Sequence, residues 1–239
     1  MSQDQQPTQS SETSAESSDR SFVQDALDRG EPMGWFDEVY VRANGQADSV
    51  PWANQAPRPA FANWLAETQV RGEGKKALVI ACGLGDDAKA LADRGYTVTA
   101  FDIAPTAIQW AKERFADSGI HFLVADMFDP PAEWVGGFDF VLEIFTVQAL
   151  PISIRHEAVA AVAKFVKPGG ELLVVTSGMA DGGDRSGPPW PLTKQELGFY
   201  LEHNLAEIEF RAFPPPPNRE TSRWRVLYQR PKEIEVKQA

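Results

Sequence analysis

Residues 77–86 read ALVIACGLGD, and the fold turns on them. A short apolar run, ALVIAC, meets Gly83-Leu84-Gly85 and passes straight into a helical pattern, DDAKALADRG. A glycine loop after a first strand lets a ligand approach the backbone closely, and the N-terminus of the next helix favours negative charge. Further on, YTVTAFD (96–102) reads as a strand that stops at Asp102. An acid about twenty residues past such a loop is placed to accept both hydroxyls of an adenosine ribose. The glycines alone would be met by a tight turn. Loop, helix and acid together point to a nucleotide-like ligand.

Working outward, the chain keeps alternating. Pro105 opens the helix APTAIQWAKERFADSG at the first helical position, where proline is tolerated. IHFLVAD is a third strand, and FDFVLEIF, nearly all apolar, is a fourth that belongs in the sheet centre. ISIRHEAVAAVAKFV is a helix stopped by Lys167-Pro168-Gly169-Gly170, ELLVVTS a fifth strand and TKQELGFYLEH a helix. LAEIEFRAF and SRWRVLYQR are strands joined through PPPPN with no helix between them, so they pair antiparallel. The pattern predicts an α/β, Rossmann-like architecture. It has a seven-stranded, mostly parallel sheet, an antiparallel last strand and helices on both faces.

Before this domain, assigned to residues 74–232, the composition shifts twice. Residues 1–20 are almost wholly Ser, Gln, Thr, Asp and Glu; they have too little apolar surface to offset their ordering entropy, which predicts a disordered tail. Residues 21–73 hold Trp35, Phe36, Tyr40, Trp52, Phe61 and Trp64 among several Pro and Gly. FVQDALDR reads as a short helix, and residues 32–59 as irregular loop with at most one helical turn. FANWLAETQV is an amphipathic helix with Phe61, Trp64, Leu65 and Thr68 near one face. Aromatics in a loop-rich segment are a packing cap or a lid over a ligand.

Composition narrows the function classes. The net charge is −11, which opposes binding to phosphate backbones, so no nucleic-acid partner is expected. No apolar run approaches the ~20 residues that span a bilayer, and the N-terminus lacks a signal-peptide pattern. A soluble, cytoplasmic protein with no membrane partner is the expectation. A single cysteine, Cys82, and three scattered histidines leave no metal-ligand spacing, so no metal is expected. No histidine is placed to activate Cys82 as a nucleophile. Oligomeric state has no signature in the sequence.

Gly83, Gly85 and Ala88 also satisfy a dinucleotide-binding spacing, but the later strands depart from that pattern. VADMF (124–128) closes the third strand, FDFVLEIF (138–145) forms the fourth, and VKPGGELLVV (166–175) leads into the fifth. With ACGLG (81–85) and TAFDIAPTAIQWAKERF (99–115), these resemble the five ordered motifs of class I S-adenosylmethionine-dependent methyltransferases, from about Ala77 to Arg230. The aromatic segment with VPWANQAPRP (50–59) is similar to the small-molecule branch with thiopurine, thiol and halide methyltransferases. Val79 stands where the family usually has an acid, and Ala81 where it has its first glycine.

The resemblance implies S-adenosyl-L-methionine as cofactor and a small molecule as methyl acceptor. It places Ala81, Cys82, Gly83 and Gly85 against the methionine end and Asp102 on the ribose. Ile103, Asp126 and Met127 go to the adenine, Trp35 and Trp52 to the cofactor cover, and Glu143 and Ile144 to the reacting methyl. Phe36, Tyr40 and Trp190 are candidate acceptor contacts. Asp126 equally fits a helix N-cap, and Ile103 and Met127 equally fit plain core. The missing acid at Val79 leaves a role that the loop backbone, Arg29 or Arg42 would fill. Arg155 is a candidate helix-start cap or anion contact. With no paired base visible, a thiol or sulfide that ionises by itself is the favoured acceptor. The alternatives are O- or N-methyl transfer with Glu143 as base, a cofactor-binding protein without turnover, and, more distantly, a nicotinamide oxidoreductase.

Overall fold

A computed structural model describes residues 23–180, 182–183, 187–215 and 221–232. The serine-rich leader lies outside them, as does most of the proline run after Pro215. Residues 23–28 form α1. It is followed by α2 (Phe36–Ala43), a 3-10 turn (Ala47–Ser49) and α3 (Pro59–Thr68). The sheet domain then runs β1 (Lys76–Ile80), α4 (Asp86–Ala92), β2 (Thr97–Asp102), α5 (Pro105–Arg114), β3 (His121–Val124) and β4 (Phe138–Ile144). It continues with α6 (Thr146–Ala149), α7 (Arg155–Lys164), β5 (Val166–Gly178), α8 (Lys194–Glu202), β6 (Ala206–Phe213) and β7 (Ser222–Gln229).

The strands lie in the order β3-β2-β1-β4-β5-β7-β6. The pairs β1–β2, β2–β3, β1–β4 and β4–β5 are parallel, and β7 runs antiparallel to both β5 and β6. β4 is central, as its unbroken apolar run requires when both faces are covered. Alternation along the strands splits the core in two. Leu78, Ile80, Val141, Leu172 and Val174 meet α7 and α8 on one face; Val79, Val98, Phe140, Leu142 and Leu173 meet α3, α4 and α5 on the other.

Three local readings change. FDEVYVRA is a full two-turn helix rather than loop, because tertiary contacts hold it: the Asp37 carboxylate accepts the Thr106 N–H in the first turn of α5 at 2.8 Å. In α3, Phe61, Trp64 and Leu65 are buried but Thr68 is exposed, its hydroxyl returned to the Trp64 carbonyl. Lys167-Pro168-Gly169-Gly170 does not precede the fifth strand but lies inside it. There the register against β4 slips between Phe138 and Phe140, and Gly169 takes φ +78°, so the extra residues bulge out of the ladder.

Polar ties fasten the layers. Thr193 and Glu196 form a reciprocal capping box at the start of α8. Arg155, fully buried at the start of α7, pairs with Glu196 at 2.7 Å and also donates to the Trp190 carbonyl. Its place is therefore structural, fixing the loop that carries Trp190. Buried Arg225 of β7 pairs with Glu67 of α3 at 2.8 Å, joining the N-terminal segment to the sheet.

Candidate active site

The parallel register brings four strand ends to one edge. Ile80 pairs with Phe101 and Glu143, and Asp102 pairs with Val124. The loop at 81–85, Asp102-Ile103, Asp126-Met127 and Glu143-Ile144 therefore converge, the place where open α/β sheets bind ligands.

The glycine loop is held by the acid. Asp102 is 6% exposed; its Oδ2 accepts the Gly83 N–H at 2.9 Å and its Oδ1 the Ala104 N–H at 3.0 Å. Burial raises its proton affinity, and those bonds oppose the rise. Each oxygen keeps a further lone pair for a hydroxyl donor. Gly83 takes φ +51°, and a Cβ there would stand 3.0 Å from the Tyr40 hydroxyl, so the loop and Tyr40 need glycine. Ala81 takes φ +47° without that freedom. The Cys82 thiol is pushed well up by burial and by nearby Asp102, so thiolate chemistry at neutral pH is disfavoured.

The N-terminal segment covers this loop. Trp52 donates its indole N–H to the Tyr40 hydroxyl at 2.7 Å, and both pack with Leu84, Ala104, Ala107 and Trp110. Trp35 lies further out, buried against Phe36 and Trp52 and near Val23 and Ala26. Phe36 bridges that cluster and the core containing Met127. Arg29 and Arg42 pair with Glu31 and Glu38 on exposed surfaces. Neither reaches the loop, and Val79 is plain core. Asp126 accepts the Phe128 N–H at 2.8 Å in a local turn, not as a helix cap.

Glu143 is 1% exposed at the end of β4. Its Oε1 accepts the Thr146 N–H at 2.6 Å and the Val147 N–H at 3.1 Å, while Oε2 is buried with no partner. Burial pushes the carboxyl up to about 7, against those bonds and the Arg155 charge. It shapes the turn at Phe145, a residue in left-handed conformation at φ +61°. Two groups without any sequence motif join here: Arg58 and Arg223 both lie over the Phe145 ring. Trp190 stands beyond β5, its N–H on the Gln148 carbonyl at 2.8 Å. Among the described residues no cluster of three or more His, Cys, Asp or Glu is placed to hold a metal, and no helix is long and apolar enough to cross a membrane.

This strand order, with a glycine loop after β1 and an acid closing β2, is that of the class I S-adenosylmethionine-dependent methyltransferases. Among solved structures, the N-methyltransferase NodS from Bradyrhizobium japonicum superposes with a TM-score of 0.67. It is 20% identical, with 82% of this chain and 98% of that one covered, a likeness of fold. The chain belongs to the thiopurine S-methyltransferase family, whose model matches residues 42–221. Its cofactor is accordingly S-adenosyl-L-methionine. A probable thiol methyltransferase 2 of Arabidopsis thaliana is 30% identical over 75% of this chain and 81% of its own. The 2-heptyl-1-hydroxyquinolin-4(1H)-one methyltransferase of Mycobacteroides abscessus is 27% identical over 62% of this chain, and the match spans 64% of that relative's length.

The site fits that cofactor. A buried carboxylate with spare lone pairs beside a loop that tolerates no Cβ suits a ribose and a close backbone approach.

Proposed function

We propose that the protein is an enzyme that transfers the methyl group of S-adenosyl-L-methionine to a small soft nucleophile, a thiol or sulfide, by in-line displacement. One observation carries the choice of nucleophile: no side chain at the strand edge stands ready as a base. One oxygen of Glu143 is engaged by backbone and the other is buried. His156 pairs with Glu202 on the exposed outer side of α7 and α8, and His121 opens β3 at the opposite edge. An acceptor that ionises unaided, with a pKa near ~8.5, needs no such group.

In this reading the backbone at 81–85, including Cys82, lines the methionine end. Asp102 takes the ribose hydroxyls, Ile103 and Met127 flank the adenine, and Asp126 accepts from its amino group. Bound S-adenosylmethionine supplies an electrophilic methyl on a sulfonium. Tyr40 and Trp52 close over the loop and exclude water, and an aromatic face near a cation adds about 0.5–2 kcal/mol. Trp35 and Phe36 back that cover, Ile144 lies at the reacting edge, and Trp190 borders the acceptor side.

A second reading is O-methyl transfer with Glu143 as base. It is favoured by a carboxyl held near neutrality and by the hydroxyquinolinone named in one relative. Release of S-adenosylhomocysteine from a panel of thiols and phenols, followed against pH, separates the two. With thiols, kcat/KM should level off near each acceptor's own pKa, and Glu143→Gln should keep that profile. An inflection fixed across acceptors, with Glu143→Gln slowed ~10²–10⁴-fold, would establish the base instead.

Asp102→Ala should weaken S-adenosylhomocysteine binding by at least tenfold while the chain stays folded, since a hydrogen bond to a charged group is worth about 1.5–3 kcal/mol. Calorimetry alongside circular dichroism checks it; unchanged affinity in a folded variant would remove Asp102 from the site.

A further inference from the structure

Phe145 is the first residue past β4, beside the edge where the reaction is placed. Its N–H donates to the Val175 carbonyl at 2.9 Å, so the backbone is pinned at φ +61°. A bulky residue there is strained where glycine would not be, and such strain persists where the side chain serves a site. The two cations over its ring come from opposite ends of the chain. The guanidinium carbon of Arg58 is 5.2 Å from the ring centroid and that of Arg223 is 4.7 Å.

Each arginine is positioned by its own neighbours. The Arg58 N–H donates to Asp87 at 2.8 Å and its guanidinium to the Trp52 carbonyl, which ties it to the aromatic cover. Arg223, on β7, donates to the Ser177 hydroxyl near the end of β5. Burial lowers the proton affinity of Arg58, and Asp87 and Asp86 oppose that, offsetting part of its charge. The chain as a whole carries −11, so two guanidinium groups gathered on one ring reverse the sign locally.

We propose that Arg58 and Arg223 select the acceptor: a thiol whose skeleton carries a carboxylate, seated on Phe145 with that carboxylate between the two guanidinium groups. The inference rests on the methyl-transfer reading and narrows its substrate. The charges require it. A sulfonium beside two guanidinium groups is repelled unless anions accompany it. The thiol proton leaves to solvent, and the thiolate pair forms the new carbon–sulfur bond. The donor's carbon–sulfur bond breaks with its pair kept by the donor sulfur. Thiolate and sulfonium thus cancel, and the second anion still faces the arginines. A guanidinium stacked on a ring turns its N–H edge sideways, where a carboxylate forks onto it.

The test uses 4-mercaptobenzoate and its neutral analogue 4-methylbenzenethiol, bound to the full chain saturated with S-adenosylhomocysteine and followed by calorimetry and turnover. The carboxylate should bind at least tenfold tighter. Arg223→Met should remove most of that gap while S-adenosylhomocysteine affinity stays unchanged. Arg58→Met should do the same, and Arg58→Lys should restore part of it. Lys112→Gln, on the exposed side of α5, should leave the gap intact. A wild-type gap below twofold, including no binding of either thiol, overturns the proposal, as does a gap that survives in both methionine variants. A gap in binding with neither thiol methylated leaves anion selection standing and sinks thiol transfer. Equal methylation of both thiols does the reverse.

Discussion

At Ala81 the chain turns with φ +47°, a conformation that a Cβ makes costly by about 1–2 kcal/mol. The family usually has glycine there. Ala81→Gly should therefore raise stability by roughly 1 kcal/mol, less the extra chain entropy that glycine loses. Urea midpoints measure it, and a lower midpoint for the variant would mean that the methyl group packs. Glu143 gives a pH signature. Its carboxyl ionises near 4.5 when unfolded but only at about 7 when folded. Between those values the folded chain binds more protons, so the contribution is fully present below about 4.5 and is lost as the pH rises towards 7. The loss is of order 3 kcal/mol for a group this buried. Glu143→Gln cannot ionise and keeps an oxygen for Thr146 and Val147. Its stability relative to the parent should climb between pH 5 and pH 7.5, then stay level. Asp87, raised to about 6, and Asp102 titrate in both proteins, so the difference isolates Glu143. Parallel pH curves would show that Glu143 stays charged inside the fold.

Among the elements, β5 is the most sensitive to added volume. Gly178 at its end faces Ser222, and a Cβ there would drive into the Trp224 ring. Gly178→Ala should cost about 1–3 kcal/mol by overpacking, and shortening Trp224 to Leu in the same chain should recover part of it. Denaturant unfolding of the single and double variants decides. The strands are legible in the sequence because their apolar runs are short, β-branched and closed by Gly, Asp or Pro. Asp102 is legible for the same reason, at the end of TAFD. Helix α2 is not: FDEVYVRA has only two turns between Gly34 and Asn44, and its stability comes from packing and from Asp37 on α5, a contact across the fold. Pro168-Gly169-Gly170 reads as a stop because a bulge and a break share the same residues. Arg58 and Arg223 carry no pattern; only the folded chain brings them to one phenyl ring.

For the whole molecule, the aromatic cover and the sheet edge form one unit. Tyr40 and Trp52 press on the glycine loop, Phe36 reaches the Met127 core, and Arg225 clasps Glu67 of α3. Hydrogen exchange from Trp35 to Trp52 should slow when S-adenosylhomocysteine binds, because ligand contacts add to a segment with few of its own. Equal exchange with and without ligand would reduce the cover to a static cap. The sheet order has another consequence, for the chain as it is made. β7 lies between β5 and β6, yet it is synthesised after both. When Ala206–Phe213 emerge from the ribosome, their seat does not exist, because the neighbour that separates them from β5 has not been translated. Until Ser222–Gln229 follow, the nascent protein shows the bare hydrogen-bonding edge of β5 to its surroundings, a template for wrong partners. The two strands must then enter together, as an antiparallel pair docking in one step.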